Sequence, residues 1–244
     1  MVLQSELFDI TILGAGPVGL YAAYYSGLRD CRTKLLEMYP QVGGRLISMY
    51  PEKEVFDVAG HPKILAADLV RLLTEQAMQY RPTVVLDERV TGLRLLQERV
   101  IELTTPNGLH YTQTVIVAVG CGAFVPRKLD IPHLIDLEGH GIYYYLTSLE
   151  ELRGKRVLIV GGGNSAVDWA LSLEGIAAEV TLAHRMYKFH AHEARVDMLL
   201  ASKVRVMFPY HALKTVLGEE CVTGAVIWNE RSGKEEEIPV DAII

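Results

Sequence analysis

The sequence has few cysteines and no long hydrophobic run. Its three cysteines, Cys31, Cys121 and Cys221, are far apart along the 244-residue chain, so none of them forms a CxxC redox pair or a set with metal-ligand spacing. The longest apolar run, residues 115–125, has about 11 residues and contains two glycines. A membrane-spanning helix needs roughly 18 or more apolar residues. These absences argue against a dithiol centre, a cysteine-ligated metal and a membrane span.

The sequence also lacks blocks of one charge. The net charge is −6 without acidic or basic clusters, which argues against nucleic acid as the main partner. The first residues, "MVLQSELFD", have neither the basic nor the apolar region of a secretory signal, and we expect a cytoplasmic protein. Half of the residues are hydrophobic, enough for the core of one large domain or of two ordinary domains.

One pattern of apolar strand, glycine turn and helix occurs twice, as "ITILGAGPVGLYAA" at residues 10–23 and "VLIVGGGNSAVDWA" at residues 157–170. Short β-rich runs follow the first copy, between residues 82 and 120, and a proline-marked irregular stretch precedes the second. We therefore predict an α/β fold with two Rossmann-like dinucleotide-binding domains. Each has three layers and a mostly parallel central sheet with β-meander additions. The predicted domains are residues 1–125 and 126–244.

The first glycine turn predicts a dinucleotide site. Gly14 permits the tight turn, Gly16 lets the backbone approach a pyrophosphate, and Gly19 lets the helix pack closely on the strand. The free amides at the start of the helix suit the phosphates. Glu37 lies 23 residues after Gly14, at the end of the second strand, where a carboxylate can accept hydrogen bonds from ribose hydroxyls.

The second glycine turn predicts a different nucleotide. Gly161 and Gly163 are present, and Ala166 takes the third glycine position, which the pattern allows. Position 184, again 23 residues on, is His184 and is followed by Arg185, so no carboxylate stands at the ribose position. A cation there favours the 2′-phosphate of NADP, although a solvated arginine at a strand end is also common.

An acid at one site and a cation at the other indicate two different cofactors. One site would hold a resident flavin and the other would receive a visiting hydride donor, as in a flavoprotein reductase.

Three segments of the chain carry a closer resemblance: "YPQVGGRLISMYPEKEVFDVAGHPKI", "GAFVPRKL" and "VLIVGGGNSAVD". They are similar to the thioredoxin-reductase-like ferredoxin–NADP reductases of the pyridine nucleotide-disulfide oxidoreductase superfamily. The resemblance covers essentially the whole chain. It implies FAD in the N-terminal domain, NADPH in the second, and a homodimer that passes single electrons to ferredoxin or flavodoxin.

The resemblance also implies roles for individual residues. Glu37 matches the adenosine-ribose acid, Tyr50 a tyrosine near the flavin, Val90 a backbone contact at the adenine end, and Phe124 an aromatic near the flavin. The other candidate FAD residues are Pro17, Gly44 and Arg45, and the other candidate NADPH residues are Asn164, Ser165 and Lys188, besides those of the two turns and His184 and Arg185.

The chain departs from the family pattern at three positions of these sites. Arg45 stands where the family usually has glutamine, and Met186 and His190 replace arginines of the family's basic segment. The preference for NADPH over NADH is therefore left open. A metal site made of His190, His192 and Glu193 is not expected, because positions two apart do not share a helix face.

The last departure is at "VDAII", where the resemblance implies that the chain should return to complete the FAD domain. We expect either a truncated form or a reduced variant, which binds NADPH but holds FAD weakly or not at all. Two alternatives remain. One is a non-catalytic nucleotide-binding protein of the same fold. The other is thioredoxin reductase, disfavoured because "LEGHGIYYYLTSLEEL" has no cysteine.

Overall fold

The chain forms two compact units, Met1–Phe124 and Val125–Ile244. The structure is a computed structural model and describes residues 7–97, 99–122, 128–131 and 134–244. The predicted domain boundary lies next to this division. The assignment of FAD to the first unit and of NADPH to the second remains a prediction.

The first unit is an α/β layer structure built on one sheet. Its elements are β1 (Leu7–Leu13), α1 (Pro17–Leu28), β2 (Thr33–Leu36), α2 (Arg45–Met49), β3 (Glu54–Val55), β4 (Ile64–Leu65), α3 (Ala66–Met78), β5 (Thr83–Val85), β6 (Gly92–Gln97), β7 (Val100–Thr105) and β8 (Gly108–Val117).

Six of these strands pair in the order β5-β2-β1-β8-β7-β6. The pairs among β5, β2, β1 and β8 are parallel, and β8, β7 and β6 form an antiparallel meander. Ile12, Leu20 and Leu35 are fully buried between this sheet and its helices. Apolar packing on the sheet therefore fixes β1 and α1, and with them the turn that joins the two.

The second unit repeats the strand-turn-helix arrangement. After a 3-10 turn at Glu150–Leu152, its elements are β9 (Arg156–Val160), α4 (Asn164–Leu173), β10 (Glu179–Ala183), α5 (Glu193–Leu200), β11 (Arg205–Met207), β12 (His211–Leu217), β13 (Gly224–Asn229), β14 (Glu235–Pro239) and β15 (Ala242–Ile243).

A parallel sheet of order β11-β10-β9-β15 and an antiparallel sheet β12-β13-β14 make up this unit. Leu158, Ile227 and Ile243 are buried in one core shared by the two sheets. The predicted fold class is confirmed in both units. Across the described residues, no helix combines the length and the apolar character that a membrane crossing requires.

Candidate functional site

The turn after β1 needs two of its glycines for the fold itself. Gly14 has φ of +99°, and a Cβ there would lie 2.6 Å from the carbonyl oxygen of Ala118. A Cβ on Gly19 would lie 1.9 Å from the carbonyl oxygen of Gly14, because α1 packs directly on the turn. Neither position tolerates a larger residue without a backbone shift.

Gly16 differs from the other two, because its missing side chain leaves open space. It is the N-cap of α1 with an ordinary φ of −72°, and the nearest atom to a Cβ would be Gly44 Cα at 4.0 Å. Pro17 is the first helical residue, and no side chain of the described residues caps the helix. The first amides of α1 are therefore available to an anionic ligand.

A cavity of about 780 Å³ opens beside this turn within the first unit. Such a volume and a lining of apolar walls with a few polar groups are typical of a cofactor site. The structure brings eight predicted FAD residues to its wall, namely Gly14, Gly16, Pro17, Glu37, Gly44, Arg45, Tyr50 and Val90. Gly19 lies beneath the turn, and Phe124 lies outside the described residues.

Glu37 follows β2 directly and is only 3% exposed. Its Oε2 accepts a hydrogen bond from the Ala15 amide at 2.7 Å, and its Oε1 accepts one from the Tyr39 amide at 3.0 Å. These two bonds hold the carboxylate at the cavity wall. Each oxygen retains a further lone pair, so the group can also accept hydrogen bonds from two ribose hydroxyls.

Sequence reasoning missed Glu88, which lines the same cavity and is 5% exposed. Its carboxylate accepts hydrogen bonds from Asn107 Nδ2 at 2.6 Å, from the Thr105 hydroxyl, and from His110 Nε2 at 2.9 Å. These bonds, that from Asn107 foremost, lower the pKa of Glu88 to about 2. Its amide donates to the Glu37 carbonyl oxygen at 2.8 Å, which ties this loop to the strand end of the predicted ribose acid.

The polar network continues to a cation. Lys34 Nζ donates to His110 Nδ1 at 3.1 Å, so that His110 bridges Lys34 and Glu88. Burial of Lys34 lowers its pKa. No sequence motif signals this network, because the β-meander brings together residues from three separate segments.

These features fit FAD. An uncapped helix end and a glycine with open space above it suit a pyrophosphate, and a buried carboxylate at the end of the second strand suits a ribose. Apolar lining such as Val90 and Val119 suits flat rings.

The second glycine turn connects β9 to α4. Gly161 has φ of +153°, and its amide donates to the Ala183 carbonyl oxygen at 3.0 Å. Gly163 is the N-cap of α4, and no described atom lies within 4 Å of where its Cβ would be. Asn164 and Ser165 are exposed at the first turn of α4, whereas Ala166 is buried against the glycine turn. This open helix end fits a second pyrophosphate.

His184 is buried under that turn, only 6% exposed. A Cβ on Gly162 would lie 2.3 Å from the imidazole ring, and the ring stacks on Phe189 and Phe208 with centroid distances of 5.1 and 6.0 Å. Its Nε2 lies 2.9 Å from the Lys188 carbonyl oxygen. The position that counting from Gly161 assigned to ribose contact therefore packs inside the domain.

Arg185 and Lys188 are exposed beside this buried ring. Neither forms an ion pair with any residue in the described part of the chain, and Lys188 Nζ lies 5.7 Å from the Tyr187 ring centroid. Two cations without carboxylate partners suit an added phosphate group, which is what distinguishes NADPH from NADH.

Comparisons with known proteins agree with this arrangement. The sequence profile of the family described as pyridine nucleotide-disulphide oxidoreductase matches residues 11–215. A ferredoxin–NADP reductase 2 of Shouchella clausii is 45% identical over 99% of this chain and 73% of its own length. The ferredoxin–NADP reductase of Geobacillus thermodenitrificans is 43% identical over 98% of this chain and 72% of its own length.

Solved structures with the same fold include thioredoxin reductases. That of T. acidophilum superposes with a TM-score of 0.85 at 24% identity, covering 98% of this chain and 76% of its own. That of Lactococcus lactis gives 0.84 at 24% identity, covering 97% and 76%. On the extent of the family match and the identity to these relatives, this chain belongs to the pyridine nucleotide-disulphide oxidoreductase family.

Proposed function

We propose that this chain is a flavoprotein oxidoreductase that takes hydride from NADPH onto FAD and passes electrons to ferredoxin. The observation that carries the proposal is the cavity of about 780 Å³ beside Gly16, which joins a helix end and the buried Glu37. Relatives named ferredoxin–NADP reductase, 43–45% identical over nearly the whole chain, support the acceptor.

The residues of the first unit hold and orient FAD. The start of α1 receives the pyrophosphate, Glu37 accepts the ribose hydroxyls, and the loop of Glu88 and Val90 closes the adenosine end. Bound FAD supplies the chemistry that accepts a hydride and releases electrons one at a time. The protein needs no nucleophile or general base for this reaction, so its contribution is binding and orientation.

The residues of the second unit hold NADPH. The start of α4 at Gly163 receives the pyrophosphate, and Arg185 and Lys188 attract the 2′-phosphate. Flavodoxin as a second acceptor, a homodimeric assembly and a cytoplasmic location are parts of the proposal that rest on the resemblance and the sequence. Size-exclusion chromatography with light scattering tests the assembly.

Reduction of ferredoxin in the presence of added FAD and NADPH tests the proposed function. We expect ferredoxin-dependent oxidation of NADPH that requires both FAD and ferredoxin. Oxidation of NADPH with a disulfide substrate but not with ferredoxin would place the chain with the thioredoxin reductases instead. Binding of both nucleotides without electron transfer to any acceptor would identify a non-catalytic nucleotide-binding protein.

A further inference from the structure

We propose that His184 is a positioning residue for NADPH, which fixes the two cations of the 2′-phosphate site against the glycine turn without contacting the nucleotide. This inference rests on the proposed NADPH binding by the second unit. It begins from a disagreement between sequence and structure: His184 occupies the strand-end position, yet its ring is buried below Gly162.

The ring of His184 cannot move independently of its surroundings. Phe189 and Phe208 stack on it, and Gly162 has no space for even a methyl group above it. The backbone of His184 is held as well, because its amide donates to the Met207 carbonyl oxygen at 3.0 Å and its carbonyl oxygen accepts from the His211 amide at 3.1 Å. The imidazole is thus a fixed point at the end of β10.

From this fixed point, the ring holds the segment that carries the cations. A carbonyl oxygen only accepts, so His184 Nε2 carries the hydrogen and donates to the Lys188 carbonyl oxygen at 2.9 Å. This bond closes the segment from 184 to 188 into a loop. Arg185 and Lys188 are the exposed cations within it.

Two further bonds attach the far end of this loop to the turn that receives the pyrophosphate. The His190 amide donates to the Gly162 carbonyl oxygen at 2.7 Å, and the His192 amide donates to Asn164 Oδ1 at 2.9 Å. The cations and the start of α4 therefore form one unit, and the bond from His184 sets the separation between the cations and the pyrophosphate position.

This arrangement predicts a nucleotide-specific effect. Loss of the His184 Nε2 donor frees the Lys188 carbonyl and loosens the cationic loop, while the glycine turn and the start of α4 stay in place. NADPH, which has the 2′-phosphate, loses affinity, and NADH does not. A role limited to packing would instead lower the affinities for both nucleotides together, through a less stable domain.

Three variants separate these possibilities. His184→Phe retains a flat ring between Phe189 and Phe208 but removes the donor. His184→Gln retains an amide donor that can reach the Lys188 carbonyl but gives up the aromatic ring. Phe208→Leu is the matched control, because it weakens the ring stack and leaves the donor of His184 intact.

The measurement is the dissociation constant of each variant for NADPH and for NADH, by equilibrium titration, together with the thermal midpoint. For His184→Phe we expect the NADPH:NADH affinity ratio to fall about three- to tenfold, as for one lost hydrogen bond. We expect His184→Gln to restore most of the ratio and Phe208→Leu to lower the thermal midpoint with the ratio unchanged.

An unchanged ratio in His184→Phe, with normal NADPH binding by the wild type, would overturn this inference and leave the proposed function intact. An equal loss of both affinities would overturn it too, in favour of a packing role. A wild-type chain that binds neither nucleotide would overturn the proposed function and this inference together.

Discussion

Replacement of Gly16 by alanine separates cofactor binding from folding. The added Cβ would be 4.0 Å from the nearest protein atom, and the φ of −72° suits any residue, so the free energy of unfolding should change by less than about 0.5 kcal/mol. The methyl group instead points into space that the pyrophosphate needs. Loss of one charge-assisted hydrogen bond costs about 1.5–3 kcal/mol, which weakens FAD binding roughly 10- to 100-fold.

The assay is fluorescence titration of FAD with wild type and Gly16→Ala, alongside thermal unfolding of both without FAD. Gly19→Ala is the matched control, since its Cβ would lie 1.9 Å from the Gly14 carbonyl oxygen and should lower the thermal midpoint strongly. FAD affinity unchanged by Gly16→Ala would refute the reasoning. It would show that the turn is only a packing feature of α1.

The remaining predictions concern charges at the two sites. Arg185→Ala should weaken NADPH binding by about 1.5–3 kcal/mol and leave NADH binding nearly unchanged, measured by paired titrations; equal losses would remove Arg185 from the phosphate site. Glu88→Gln should destabilise the chain at neutral pH, because the pKa of Glu88 is lowered from 4.5 to about 2. The carboxylate's contribution is complete above about pH 4.5 and disappears as the pH falls towards 2, so denaturant unfolding should show the two proteins converging in acid. A difference independent of pH would contradict this. Glu37→Gln should weaken FAD binding and lower the unfolding free energy by about 1–3 kcal/mol, since the amide group cannot accept from both Ala15 and Tyr39; a titration and a melt unaffected by the change would argue against Glu37.

The sequence predicted features that depend on local pattern. The glycine turns, their helices and the strand pattern are encoded in consecutive residues, and α4 begins at Asn164, one residue before the position predicted. Glu37 was placed at the cavity because the spacing from the turn to the end of the second strand is short and regular.

Features that depend on folding could not be predicted in this way. Glu88 obtains its partners from Thr105, Asn107 and His110, which approach it only when the meander forms. Counting residues placed His184 at the correct strand end but could not show which way its ring points. That direction depends on Phe208, which belongs to a different part of the unit.

The central claim is that one chain binds FAD and reduces it with NADPH. The most direct measurement is an anaerobic titration of the FAD-loaded chain with NADPH, followed by the absorbance of oxidised flavin. We expect the flavin band to disappear with about one equivalent of NADPH per flavin, since a hydride carries both electrons. A flavin band that persists at saturating NADPH, with both nucleotides bound, would contradict the account.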